Sequence, residues 1–180
     1  MPVPGGNMPS DALIVIDMLK DFVCEDGSLY VGETVKNIIP EIQKKLSRYR
    51  AEKRPVIFVC DNHDDDDPEF EMFPQHCIAG SNGAEIHKDL RPNEGEKIIP
   101  KKRFSAFFRT DLEEYLKEHG ICSLEICGVC THICVLYTCA DARARNIDVE
   151  VDRRCVDSFD RAAHDFALKE MERTLGANIV

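Results

Sequence analysis

The sequence predicts one α/β domain, a three-layer doubly wound sandwich around a central, mostly parallel sheet of about six strands. Three observations carry this. Short apolar runs recur along the chain, several of them apolar on both faces, as strands of a sheet covered on both sides require. Segments with helical spacing of apolar residues separate those runs. The chain of 180 residues can bury one substantial core without staples.

The start, MPVPGGNMPS, reads as a flexible lead-in over residues 1–10, followed by a single α/β domain over 11–180. It has no charged n-region joined to an apolar h-region, so it does not read as a signal peptide. The predicted strands are ALIVID (12–17), PVIFVC (55–60), EKIIP (96–100), SLEICGV (123–129), DVEVD (148–152) and ANIV (177–180). Between the first two, Val35, Ile38, Ile39, Ile42, Leu46 and Tyr49 keep a 3–4 spacing, with Glu, Lys and Arg on the opposite face. Thr110-Asp111-Leu112-Glu113 reads as a helix start. Further helices are expected over 131–145 and about 160–174, the latter closed by Gly176. The irregular stretch 61–95 is too long for an ordinary connection, and long loops inside compact domains are usually functional.

Composition excludes several classes. Net charge is −10 with no long Lys/Arg run, which argues against nucleic acid or an anionic membrane as partner. No window approaches the ~18 apolar residues of a membrane span. A cytoplasmic location with reduced thiols is the expectation. Nine cysteines is an odd number, ill suited to a fully paired disulfide framework, and most are expected to be small buried hydrophobes.

Asp17, Asp61, Lys101 and the stretch 128–134 all fall at the carboxyl ends of predicted strands, where open α/β sheets place their sites. Thr131 is a plausible N-cap, making Cys134 the third helical residue, where the helix dipole would favour a thiolate near neutral pH. Taken alone, Cys134 also reads as a core thiol. Asp17 reads either as a cap of the following turn or as a base. Lys101, with Lys102 and Arg103 beside it, reads either as part of a solvated patch or as a cation between Asp17 and Cys134. In DNHDDDDPEFEMFPQH, Asp61, His63 and His76 form a set suited to a borderline divalent ion, whereas Asp64–Asp67 read as a solvated acidic turn. The CGVC pair, Cys127 and Cys130, is weighed as a redox motif and set aside because Cys127 lies within an apolar strand. Cys122 and Cys139 are read as packing residues.

These runs together resemble the isochorismatase-like cysteine hydrolases, and within them the nicotinamidases. The markers are ALIVIDMLKDFV, DNHDDDD…EMFPQHCIAGSNGAE, KKRFSAFFRTDL and GVCTHICVLYTCADA, from about Ala12 to Val180. The resemblance implies hydrolysis of nicotinamide to nicotinate and ammonia, within pyridine-nucleotide salvage, by a triad of Asp17, Lys101 and Cys134. Lys101 is preferred to Lys102 because the family's lysine stands three residues before an aromatic, here Phe104. It implies one divalent metal, zinc first and manganese or iron as alternatives, on Asp61, His63 and His76. Glu69 is the suggested fourth ligand, with Glu71 or a water as substitutes. Phe22, Phe73 and Phe104 would bind the substrate. The Val129–Cys130 peptide stands at the family's cis bond, which would turn the Cys130 and Cys134 N–H groups into an oxyanion hole. A homo-oligomer is also implied. His132, where relatives often carry Asp or Glu, and Cys130 within the presumed turn depart from the pattern. Isochorismatases that cleave an enol ether can lack the cysteine, so Cys134 favours the amidase branch. The alternatives are a relative acting on another small amide, ureide or carbamoyl compound, and a non-catalytic thiol protein using Cys127 and Cys130.

Overall fold

The computed structural model describes residues 11–180, so the lead-in expected over 1–10 lies outside the described residues. Among the described residues seven strands form one sheet: β1 (Ala12–Ile16), β2 (Val56–Asp61), β3 (Lys97–Lys101), β4 (Ser123–Val129), β5 (Asp148–Val151), β6 (Val156–Asp157) and β7 (Asn178–Ile179). Their order is β3-β2-β1-β4-β5-β7, with β6 beside β4, and every pairing is parallel. The six expected strands are present. The two-residue β6 was not expected, because its surroundings, RRCVDSFD, hold no apolar run.

Successive residues of a strand face opposite sides, and β1 shows how the two cores arise. Ile14 and Ile16 pack with Leu112 and Leu116 of α3 (Leu112–Glu118), Cys139 and Ala142 of α4 (Leu136–Ala144), and Leu168 and Met171 of α5 (Arg161–Arg173). Leu13 and Val15 pack with Phe22 of the single turn α1 (Lys20–Val23) and with Ile38, Ile42, Leu46 and Tyr49 of α2 (Ile38–Ala51). The apolar stripe read over 35–49 is thus the buried face of α2, preceded by a 3-10 turn at Glu33–Asn37. Asp160 caps α5 by accepting the Ala163 N–H at 3.0 Å, and Gly176 beyond it has φ +67°.

One charged group inside this frame was not foreseen. Glu125, in the middle of β4, is 1% exposed. Lys45, Arg48 and the Tyr49 hydroxyl surround it at 2.6, 2.5 and 2.9 Å. Lys45 also reaches Asp152 at 2.9 Å, so α2 is tied to the sheet by ion pairs as well as apolar contact.

The chain runs outward from β1 through β2 to β3, then returns to lay β4 on the other side of β1. Strand order therefore reverses between β1 and β4, the place where open α/β sheets leave a crevice at their carboxyl ends. At that point Gly128, with φ +117°, lies against Ile16, the Val129–Cys130 peptide is cis, and a π-helical turn covers Thr131–Val135.

Two local expectations are corrected here. Cys130, not Thr131, flanks the start of that turn, which places Cys134 fourth in it. The Thr131 hydroxyl instead bonds His164 Nδ1 of α5 at 2.8 Å, a tertiary partner that a local capping rule does not see. Cys122 is exposed and so is no packing residue, whereas Cys139 is fully buried.

Candidate active site and metal centre

Each chemistry-bearing residue sits where its strand ends. Asp17 follows β1 in a left-handed conformation, φ 51°. Asp61 and Lys101 are the last residues of β2 and β3 and are paired in register. Asp17 does not cap the next turn, because Leu19 flanks α1 without a side-chain cap. Its Oδ1 accepts the Asp61 N–H at 2.8 Å, and its Oδ2 lies 2.8 Å from Lys101 Nζ. Lys101 also bonds Asp61 Oδ1 and lies 3.4 Å from Cys134 Sγ. The acid, the ammonium and the thiol are thus in contact, all buried. Lys102, by contrast, is exposed and pairs with the exposed Asp64.

Electrostatics separate the roles these groups can take. Burial and the neighbouring Asp61 raise Asp17 to about 6, against the pull of Lys101. Burial opposes the charge on Lys101, but the carboxylates of Asp17 and Asp61 outweigh it and hold the ammonium firmly protonated. Burial also pushes the Cys134 thiol well above its usual value, although Lys101 pulls it down. This corrects the expectation of a freely accessible thiolate at a helix start: at rest the proton stays on sulfur, beside a carboxylate able to take it.

On the other side of Asp61 lies a second constellation. Asp61, His63 and His76 present ligand atoms within 4.8 Å of one another. His63 Nε2 is 3.6 Å from Asp61 Oδ2 and 3.9 Å from Glu69 Oε1, and His76 Nε2 is 3.8 and 3.9 Å from the same two oxygens. Ligands about 2.0–2.1 Å from a tetrahedral zinc would stand roughly 3.4 Å apart, so this set is only slightly wider than such a site. The outward nitrogens settle the tautomers. His63 Nδ1 donates to Asp67 Oδ2 at 3.1 Å and His76 Nδ1 to the Pro74 carbonyl at 2.7 Å. Both rings therefore turn Nε2 inward, and the buried His63 Nε2 has no hydrogen-bond partner. Two imidazoles fixed from outside and two carboxylates around one point fit a divalent cation. Glu71 is exposed, so Glu69, which is 5% exposed, is the carboxylate available to that point.

Asp67 was missed in the sequence, where it was grouped with a solvated acidic run. Asp64 to Asp66 are exposed, but Asp67 is buried. It orients His63, accepts the Glu69 N–H at 2.9 Å and takes Arg103 Nη1 at 3.0 Å on both oxygens. The Asp-Pro step at 67–68, a turn starter, was the available signal.

Above both clusters opens a cavity lined by Asp17, Asp61, Glu69, His76 and Cys134 at the polar end. Phe22, Phe73 and Phe104, the residues expected to bind substrate, line it together with Leu29, Ile133 and Phe159, which were not singled out. Phe159 rests edge-on against His132, ring centres 5.1 Å apart, and His132 Nδ1 bonds Ser158 Oγ at 2.6 Å. Cys127 and Cys130 are buried thiols, raised by burial well above the usual range and to about 12, so neither offers the thiolate that a redox pair needs.

A model of the isochorismatase domain matches residues 11–180. The chain belongs to the isochorismatase family. This isochorismatase-family hydrolase is similar to nicotinamidase/pyrazinamidase PncA from Bacillus subtilis. The TM-score is 0.90 at 35% identity, over 96% of this chain and 100% of that one. It is similar to the pyrazinamidase of Pyrococcus horikoshii, solved in complex with zinc, at TM-score 0.88 and 31% identity, over 96% and 99% of the two chains. It is also similar to N-carbamoylsarcosine amidase from Thermoplasma acidophilum, at TM-score 0.84 and 30% identity, over 93% and 94%. Among the described residues, no helix is long and apolar enough to cross a membrane.

Proposed function

We propose that this chain is a metal-assisted cysteine amidase that converts nicotinamide to nicotinate and ammonia. The observation that carries this is the meeting of Asp17, Lys101 and Cys134 beside the Asp61, His63, Glu69 and His76 set, at the floor of an aromatic-lined cavity. The likeness to nicotinamidase/pyrazinamidase structures supports the ring substrate.

In the proposed reaction Asp17 takes the Cys134 proton, and Lys101 holds the resulting negative sulfur in place. Sulfur attacks the carboxamide carbon, and the N–H groups of Cys130 and Cys134 receive the charge that develops on its oxygen. Asp17 returns the proton to the departing nitrogen, releasing ammonia and leaving a thioester on Cys134. It then takes a proton from water, which attacks the thioester and frees nicotinate and the thiol. A divalent ion, zinc first and manganese or iron as alternatives, would supply a positive charge for the pyridine nitrogen lone pair. Phe22, Phe73 and Phe104 pack on the ring faces. The −10 charge offers no footprint for nucleic acid, and a cytoplasmic homo-oligomer completes the reading.

Purified protein is expected to release ammonia from nicotinamide, and Cys134→Ala to lose turnover entirely, since no other group forms the thioester. Retained turnover in that variant would show the nucleophile to be elsewhere. A second reading, a carbamoyl or ureide substrate on the same machinery, is favoured by the likeness to N-carbamoylsarcosine amidase. The ratio of kcat/KM for nicotinamide and for N-carbamoylsarcosine decides between them.

A further inference from the structure

We propose that Asp21 is a positioning residue for the cation site, holding His76 in register with His63 through the backbone of Cys77. The inference rests on the metal role proposed above for those histidines. Asp21 lies in α1, within the run ALIVIDMLKDFV, and no step of the proposed reaction uses it.

Cys77 is the peptide that joins the two halves of the site. Its carbonyl accepts the His63 N–H at 3.0 Å, and Ala79 N–H donates back to the His63 carbonyl at 2.8 Å. Its own N–H donates to Asp21 Oδ2 at 2.7 Å. The backbone of Cys77 is therefore gripped on both sides, by Asp21 on the peptide joining it to His76 and by His63 on the peptide that follows. Cys77 is fully buried and has φ +46°, a conformation few non-glycine residues adopt unless their surroundings hold it. Removing the carboxylate leaves a buried N–H without this acceptor, in a segment where one ligand is the preceding residue.

Asp21 is itself held on every side. Its Oδ1 accepts the Ser28 N–H at 3.2 Å, its N–H donates to the Gly83 carbonyl at 3.0 Å, and its carbonyl accepts the Leu29 N–H at 3.1 Å. The Gly83 contact is so close that an added Cβ would lie 2.1 Å from Asp21 Oδ2. The carboxylate thus couples the segment after Asp17, the turn at Ser28 and the loop that carries His76, while the Asp21 carbonyl holds the pocket wall at Leu29.

The test is cobalt(II) binding to the full chain after stripping with a chelator, read by competition with a chromophoric chelator and by the cobalt absorption bands. Asp21→Ala is expected to bind cobalt about 10–100-fold more weakly than wild type, the range for partners that orient ligands, with displaced bands. Asp21→Asn keeps one acceptor oxygen and is expected to recover most of that loss. Gly83→Ala leaves the carboxylate in the chain but drives it from its seat, and is expected to weaken binding in the same direction, so the inference stays testable if Asp21→Ala does not fold. Wild-type affinity and bands in either Asp21→Ala or Gly83→Ala would overturn the inference and leave the metal role standing. A wild-type chain that binds no divalent ion would overturn both.

Discussion

At Gly128 the β4 backbone passes so close to β1 that an added Cβ would lie 1.9 Å from the Ile16 carbonyl oxygen, and φ is +117°. Only glycine satisfies both demands, and this contact sets how near the turn carrying Cys134 comes to the carboxylate of Asp17. Gly128→Ala is therefore expected to destabilise the fold by at least the upper end of the ~1–3 kcal/mol of an overpacked core, seen as a lower urea midpoint with unchanged slope. A midpoint equal to wild type would mean that β1 and β4 can part without penalty. At this scale the chain was partly readable. Glycine before the turn signals a bend, and aspartate ending an apolar strand signals a purpose. That Asp17 and Cys134 touch the same lysine could not be read, because Asp17 follows β1, Lys101 ends β3 and Cys134 lies in the turn after β4, and only the closed sheet brings them together.

Among the elements, α2 shows what an apolar stripe conveys and what it hides. Ile38, Ile42, Leu46 and Tyr49 were legible as a buried face, and they are one. Lys45 was legible only as part of the charged face, yet its side chain is 13% exposed and bridges Glu125 and Asp152. Burial alone would push Asp152 up, but Arg154 and Lys45 outweigh it and hold its carboxyl well below the usual range. Lys45→Met is expected to cost about 2 kcal/mol near neutral pH, less than the ~3–5 kcal/mol of a fully stripped buried pair, because Arg48, Tyr49 and Arg154 remain. A carboxyl with a lowered folded pKa stabilises above its unfolded value, and that contribution fades as pH falls below about 4. Asp152→Asn lacks that carboxyl in both folded and unfolded chains, so the difference in stability between wild type and Asp152→Asn should narrow in acid. Denaturant titrations at pH 7 and pH 3 measure it, and an equal gap at both would remove Asp152 from the account. The π-helical turn taught a different lesson. Thr131 has the chemistry of a cap, but His164 on α5 claims its hydroxyl, so a tertiary bond overrides a local rule.

Across the whole molecule, the cation site proposed above would tie the 61–95 segment to the sheet, since Asp61 ends β2 while His63, Glu69 and His76 follow it in that segment. An ion that binds only the folded chain adds about 4 kcal/mol at a thousandfold excess over Kd. For a domain of this size that corresponds to on the order of 10 °C in Tm. Chelation is expected to lower Tm by roughly that much, and zinc to restore it. A melt indifferent to chelator and zinc would take the ion out of the folding balance. By itself the sequence determined the layered α/β architecture, six of the strands and the residue types the site would draw on. Periodicity, strand ends and donor chemistry are local properties, and they survive translation into a string. Only the tertiary structure decided which carboxylates matter: Asp67 over its exposed neighbours, Glu69 over Glu71, and Asp21 as a tie between loops. Those choices depend on burial and on partners from other strands and loops, and a side chain acquires both only when the sheet has closed around it.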